Sequence, residues 1–340
     1  MIHFALILLT SLLLPQSQAN IETFRRTVQL DNFSLDAILT RPASPGKHPA
    51  VFIIGGLGCY SLDNLKPDDP YRRLIDGLTE RGFVTMRVDK NGEGKSGGPP
   101  CDSPQSDLQL AVRRSIAGLN ALAGCDFVDR DRIFIFAHSI GPLEGVLVAQ
   151  KLSFHPRGFL AVETIGRTWM EYMLDNARRQ TLILGHGYDE ADRAVRITER
   201  CQHRFLIEKQ TPEQVIKEMP DCKDSVNTFG VSAAYLRQIA ALDLAAEWKN
   251  VDLPVLVTYG TSDPTTSAEE SRYLVQMINS FHPSRAEYME FAGMGHGLDR
   301  ALSPRAWLES IRKQQHGEFD SDFLNRVVSW MQHLADESAR

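Results

Sequence analysis

The segment "FAHSIGP", residues 136–142, sets Ser139 between two small residues, Ala137 and Gly141. A serine hydroxyl is a poor nucleophile at its free pKa. Acyl transfer from it requires a base, a group that orients the base, and donors for the oxyanion. The chain supplies each type. Asp263 stands in "GTSDP", after the apolar run "PVLVTYG" (254–260), and His296 stands in "GMGHG", after "EYMEF" (287–291). Serine, acid, histidine is one of the known chain orders for such a constellation. The backbone N–H of Ile140, next after Ser139, is one candidate oxyanion donor. Leu57 in "IIGGLGC" (53–59) is the other, with glycines around it that let the backbone come close to a substrate.

These residues need elements to carry them. "TFRRTVQL" and "FSLDAILTRP" read as a hairpin about Asp31-Asn32. "PAVFIIGG" (49–56), "FVTMRVD" (83–89), "RIFIFA" (132–137), "GFLAVETIG" (158–166) and "PVLVTYG" are continuous apolar runs, as expected of strands buried on both faces. "EYMEFAG" is a last strand. Helical spacing marks 68–82, ending on a glycine cap, and 106–124, with Ser106 as N-cap; "GPLEGVLVAQKL" follows Ser139, and 321–337 closes the chain. Strands alternating with helices predict an α/β fold, a doubly wound and mostly parallel sheet. In such a sheet the turn after "RIFIFA" puts Ser139 at the carboxyl edge, where ligands bind. Residues 167–250 break the alternation. They are polar, helical and strand-free, with Thr211, Pro212 and Gln214 forming a capping box at one helix start. The expected organisation is therefore a core of residues 20–166 and 251–340 with a helical cap, 167–250, inserted between two strands.

Taken together, these motifs resemble the α/β-hydrolase family of serine hydrolases over residues 45–335. "FIIGGLG" is similar to the family's oxyanion segment, with Gly55 in place of the usual histidine. "FAHSIG" is similar to its nucleophile elbow, with Ala137 for the first glycine; "GTSDP" to its acid turn; and "GMGHG" to its histidine loop. "PYRRLIDGLTERGFVTMRVDKNGEGKSGG" resembles a stretch in bacterial esterase-like and prolyl-oligopeptidase-like members. The resemblance implies hydrolysis through an acyl-serine, with Ser139 as nucleophile, His296 as base and Asp263 as its orienter, Leu57 and Ile140 as oxyanion donors, and no metal or organic cofactor. The expected substrate is a small-molecule ester or other acyl compound. Peptidases and thioesterases share the machinery, and a non-catalytic binding protein on the same scaffold is a third class. Tyr60 and, at the start of the cap, Trp169 and Met173 are candidate substrate-binding residues. The "WMEYM" segment either lines a pocket or forms the cap's own core.

Bulk properties bound the rest. A net charge of −6 gives no basic footprint for nucleic acid. "FALILLTSLLL" (4–14) followed by "PQSQA" reads as a signal peptide spanning 1–19, cleaved after Ala19, so the expected protein is exported, periplasmic or secreted, without stable membrane insertion. In that setting the five cysteines can pair. The expected arrangement is Cys59 with Cys101 and Cys201 with Cys222, leaving Cys125 free, although sequence alone fixes no connectivity. No Cys/His cluster has zinc spacing. "GEGKS" (92–96) looks like the end of a phosphate loop, but Asp89 stands where the first glycine belongs and no helix follows at once. His138 reads as a packing residue, Asp299 as a helix cap, and Asp252 lies before its strand, at the wrong edge of the sheet.

Overall fold

The continuous apolar runs form the interior of a single eight-stranded sheet. The computed structural model describes residues 21–63 and 65–337; the expected signal peptide and its cleavage after Ala19 lie outside them. The strands are β1 (Ile21–Leu30), β2 (Phe33–Pro42), β3 (His48–Ile54), β4 (Val84–Val88), β5 (Val128–His138), β6 (Gly158–Val162), β7 (Val255–Gly260) and β8 (Ala286–Phe291). Their order is β1-β2-β4-β3-β5-β6-β7-β8. The β1–β2 hairpin turns through Asp31, and β2 meets β4 antiparallel; every later pairing is parallel. From β3 the chain steps to β4 on one side and then to β5 on the other. The crevice at the carboxyl ends of β3 and β5 is thus a topological switch point, the place where open α/β sheets bind ligands.

Alternation along each strand divides the core between the two faces. Phe52, Ile54, Ile133, Ile135, Phe159, Val255 and Val257 pack on one side. Val51, Ile53, Phe134, Phe136, Leu160 and Leu256 pack on the other. The second face is covered by α1 (Pro70–Glu80) and by the last helix of the fold, Ser321–Glu337, through Leu74, Leu78, Phe323, Val327 and Met331. The first is covered by α2 (Leu108–Ala123) and α3 (Gly141–Lys151). Helix α2 begins one residue later than Ser106 would set it. Asp107 is the N-cap and accepts from the Leu110 N–H at 2.8 Å, while the Ser106 hydroxyl bonds within the preceding loop to the Pro100 carbonyl at 2.6 Å. A carboxylate at that position also gains from the helix dipole.

Between β6 and β7 there are helices and no strand: α4 (Trp169–Ile183), α5 (Tyr188–Gln202), a π-turn at His203–Ile207, α6 (Pro212–Glu218), a short turn at Pro220–Cys222, α7 (Ala233–Ala240) and α8 (Leu244–Lys249). The Thr211–Gln214 capping box is present. Cys201 and Cys222 form a disulfide that ties α5 to the turn after α6. The end of this region joins the core layer: α7 packs on α2, α8 packs on α3, and the Trp248 ring meets Phe159 edge-on at 5.3 Å. After β7 come α9 (Ala268–Phe281), α10 (Pro304–Arg312) and α11 (Ser321–Glu337). No described helix is long and apolar enough to cross a membrane.

The loop after β4, which contains "GEGKS", folds back on the sheet edge. Asp89 accepts from the Ser61 hydroxyl at 2.6 Å and the Leu62 N–H at 2.8 Å, and Ser96 bonds to the backbone of Asp36 and Asp89. A second disulfide, Cys59–Cys101, joins the loop after β3 to this one. Cys125 is free and buried.

Gly141 sets the approach of α3 to β3. A Cβ there would lie 2.8 Å from the Ile54 carbonyl oxygen and 3.1 Å from that of Gly55. Replacing it by valine should force the helix off the strand and cost about 1–3 kcal/mol, as overpacking does. Urea unfolding followed by circular dichroism checks this; an unchanged midpoint would show that the crossing is not tight.

Candidate active site

Ser139 sits at the junction of β5 and α3 with φ of +61°. That left-handed value is strained for a side-chain-bearing residue, and such strain persists only where the surroundings impose it. Here they do. The Ser139 N–H is held by the Val162 carbonyl at 2.9 Å, and a Cβ on Gly56 would lie 3.2 Å from the Ser139 Cβ. The turn thrusts the hydroxyl out over the carboxyl edge of the sheet. Ala137, fully buried, fits without the glycine of the usual pattern, because Gly145 of α3 crosses it with no side chain of its own.

His296 comes to this hydroxyl from the loop after β8. Its Nε2 lies 3.0 Å from Ser139 Oγ, and its Nδ1 lies 2.9 Å from Oδ2 of Asp263, in the loop after β7. The Asp263 carboxylate is fixed in turn by the N–H groups of Thr265 and Thr266 and by the Thr266 hydroxyl, at 2.6, 3.2 and 2.5 Å. Burial would raise its pKa; the charge of His296 and side-chain hydrogen bonds from His296, Glu163 and Thr266 override burial and hold it well below the usual carboxylate range. Asp263 therefore stays ionised where it can orient and stabilise an imidazolium.

Ser139 and His296 line a cavity of about 600 Å³, with Asp263 buried behind the histidine. Leu57 and Ile140 line it, as do Tyr60, Trp169 and Met173. The N–H groups of Leu57 and Ile140 donate to no group among the described residues. Asn176, Gln180, Asp224 and Asn227 also line the cavity.

The model of the serine aminopeptidase family, S33, matches residues 69–299, a stretch that holds Ser139, Asp263 and His296. The chain belongs to this family. The fold, an α/β-hydrolase fold, is similar to that of Est1E from Butyrivibrio proteoclasticus with ferulic acid bound, at 18% identity and a TM-score of 0.58, over 93% of this chain and 100% of that one. It is similar as well to proline iminopeptidase from Mycobacterium smegmatis, at 17% identity and 0.56, over 93% and 100%. A third is the esterase of Pyrococcus furiosus, at 13% and 0.53, over 93% and 91%. No curated protein matches the sequence.

Two residues read differently from sequence take other places in this hydrolase. His138 is buried, as a packing residue would be, but it does more than pack. It lines the cavity, its ring 4.9 Å from that of His296, and its Nε2 donates to the His296 carbonyl at 2.8 Å while Nδ1 accepts from the Tyr71 hydroxyl at 2.5 Å. Burial, and then the charge of His296, push its pKa down to about 3. It stays neutral in one tautomer and pins the loop that carries His296. Asp299 caps no helix; Ser303 caps α10. The buried Asp299 carboxylate accepts from Trp307 Nε1 and the Gly317 N–H, both at 2.7 Å, and its carbonyl accepts from the Gly295 N–H at 2.8 Å. It braces the histidine loop from behind. Asp252 is remote from the site and pairs with Arg285.

Glu163 is the residue the sequence did not single out. It follows β6 with φ of +48°, is fully buried, and accepts from the Gly260 N–H at 3.1 Å. Donor atoms of Glu163, Asp263 and His296 lie within 4.8 Å of one another. Burial, then the Asp263 charge, raise the Glu163 pKa well above the carboxylate range, so it carries its proton beside an ionised Asp263. The native state thus binds one more proton here than the unfolded chain at neutral pH, and stability declines as pH rises above the unfolded pKa. Glu163→Gln copies the neutral form and removes that decline. Thermal unfolding at pH 5 to pH 8 should show a shallower loss of Tm in the variant; parallel curves would contradict a protonated Glu163.

Proposed function

We propose that this chain is an exported serine hydrolase that cleaves carboxylic esters through an acyl-serine intermediate. The observation that carries the reading is the unbroken hydrogen-bonded chain Ser139–His296–Asp263, whose serine and histidine line a large cavity. His296 Nε2 takes the Ser139 proton as Oγ attacks the acyl carbonyl. Asp263 holds the imidazole with Nδ1–H towards itself and stabilises the imidazolium. The N–H groups of Leu57 and Ile140 receive the oxyanion. His296 returns its proton to the leaving alkoxide, then activates a water that releases the acyl group from Ser139. Tyr60, Trp169 and Met173 pack against the substrate, and helices α4–α6 serve as its cap.

Similarity to Est1E with ferulic acid bound and to an esterase supports the ester. A peptidase acting on a free amino terminus is the second reading, favoured by the family's description and by the likeness to proline iminopeptidase. Such a substrate needs carboxylates for its ammonium, and Asp224, an exposed residue, is the carboxylate that lines the cavity. Two disulfides and the apolar N-terminal run support export.

The test is fluorophosphonate labelling of the purified chain, with turnover of short-chain p-nitrophenyl esters and of aminoacyl p-nitroanilides. Ser139→Ala should abolish labelling and lower kcat/KM for the ester by about 10⁴–10⁶, with His296→Ala close to it. Turnover of the anilides above the esters would favour the peptidase. A folded chain with neither label nor turnover would refute both.

A further inference from the structure

Lys90 follows β4 and belongs to none of the groups described so far. Its Nζ donates to the carbonyl of Gly56 at 2.8 Å and to that of Gly58 at 2.5 Å, and it stands 4.6 Å from the centre of the Tyr60 ring. The Tyr60 hydroxyl also donates to the Gly56 carbonyl, at 3.2 Å. The carbonyl of Gly56 and the N–H of Leu57 belong to one peptide. No described peptide is cis, so the two groups of that plane point in opposite directions. A cation on the carbonyl therefore sits behind the N–H that faces the cavity.

We propose that the Lys90 ammonium is a positioning residue for the oxyanion hole, holding the Gly56–Leu57 peptide in its plane and polarising it so that the Leu57 N–H becomes a stronger donor. The inference rests on the hydrolytic reading above. Its physical basis is that hydrogen bonds in series strengthen one another, more so where the dielectric is low. A preorganised donor also costs no reorientation during the reaction. The Cys59–Cys101 disulfide ties the same loop to the one that carries Lys90.

The device is sensitive to protons. Arg114 of α2 faces Lys90, paired with Glu144 of α3, and Asp107 lines the same small cleft; Glu93 lies in the lysine's own loop. Burial, then repulsion from Arg114, pull the Lys90 pKa down to about 7 against the attraction of Glu144 and Glu93. Below that pH the ammonium is charged and polarises the peptide. Above it, a neutral amine remains, a weaker donor without the charge.

The experiment is steady-state kinetics with p-nitrophenyl butyrate from about pH 5 to pH 10 on the wild-type chain, Lys90→Arg and Lys90→Met. Thermal unfolding and fluorophosphonate labelling accompany it. Wild-type kcat should fall above about pH 7. Lys90→Arg, charged throughout, should keep the wild-type rate at pH 6 and lose the alkaline fall. Lys90→Met should lower kcat about 10–100-fold, somewhat less than loss of the donor itself, with KM little changed. Wild-type kcat in Lys90→Met, or the same alkaline fall in Lys90→Arg, would overturn the inference. If Lys90→Met does not fold, the Lys90→Arg profile decides alone. A wild-type chain that neither labels nor turns over would sink the hydrolytic reading itself, and the Lys90 inference with it; labelling at Ser139 separates the two failures.

Discussion

The strained backbone at Ser139 is the constraint on which the site depends. A residue with a side chain keeps a positive φ only if the alternatives are worse, and here the crossing of β3, β5 and α3 makes them worse. Gly141 lets the helix start within van der Waals reach of the Ile54 carbonyl, and Gly56 leaves room beside the serine Cβ. If either contact slackened, the turn could relax and the hydroxyl would swing away from His296. The sheet, closely packed on both faces, acts as the rigid base that holds the turn in its unfavourable conformation.

From that point the site is organised by burial. Ionisable groups in a dry interior are stable only with partners, and each here has a distinct one. Asp263 keeps its charge because His296, Thr265 and Thr266 surround it. Glu163, a few ångströms further in, cannot also be charged and holds a proton. His138 is neutral because burial disfavours its charge, and the neighbouring His296 opposes it further. The two carboxyl groups thus divide into one charged and one neutral member, by position alone.

Much of this was legible in the sequence because it depends on local rules. Both-face burial makes apolar runs, and runs alternating with helices make a parallel sheet. Ser139, Asp263 and His296 each follow their own strand, so order and spacing brought them to one edge. Ala137 was readable as tolerable, since one methyl is a small addition at a crossing. The positions that escaped notice depend on long-range pairing. Glu163 looked like the interior of a strand that in fact stops at Val162. His138 and Asp299 owe their roles to Tyr71, Trp307 and Gly317, which no spacing connects to them. Helices α9 and α10 carried signals, Ser267 three residues before Glu270 and Ser303 before Pro304, that stood between stronger motifs. Lys90 was masked by the glycines around it, which suggested a phosphate loop.

The site's groups come from residues 56, 139, 163, 263 and 296, on five separate strand ends. Contacts so distant in sequence close long loops, which carries an entropic cost and slows folding. No fragment that stops short of β8 contains the histidine, and none that lacks β3 contains the glycine loop. A chain emerging during synthesis therefore has no assembled site. The order of the strands makes completion of the fold the event that creates it.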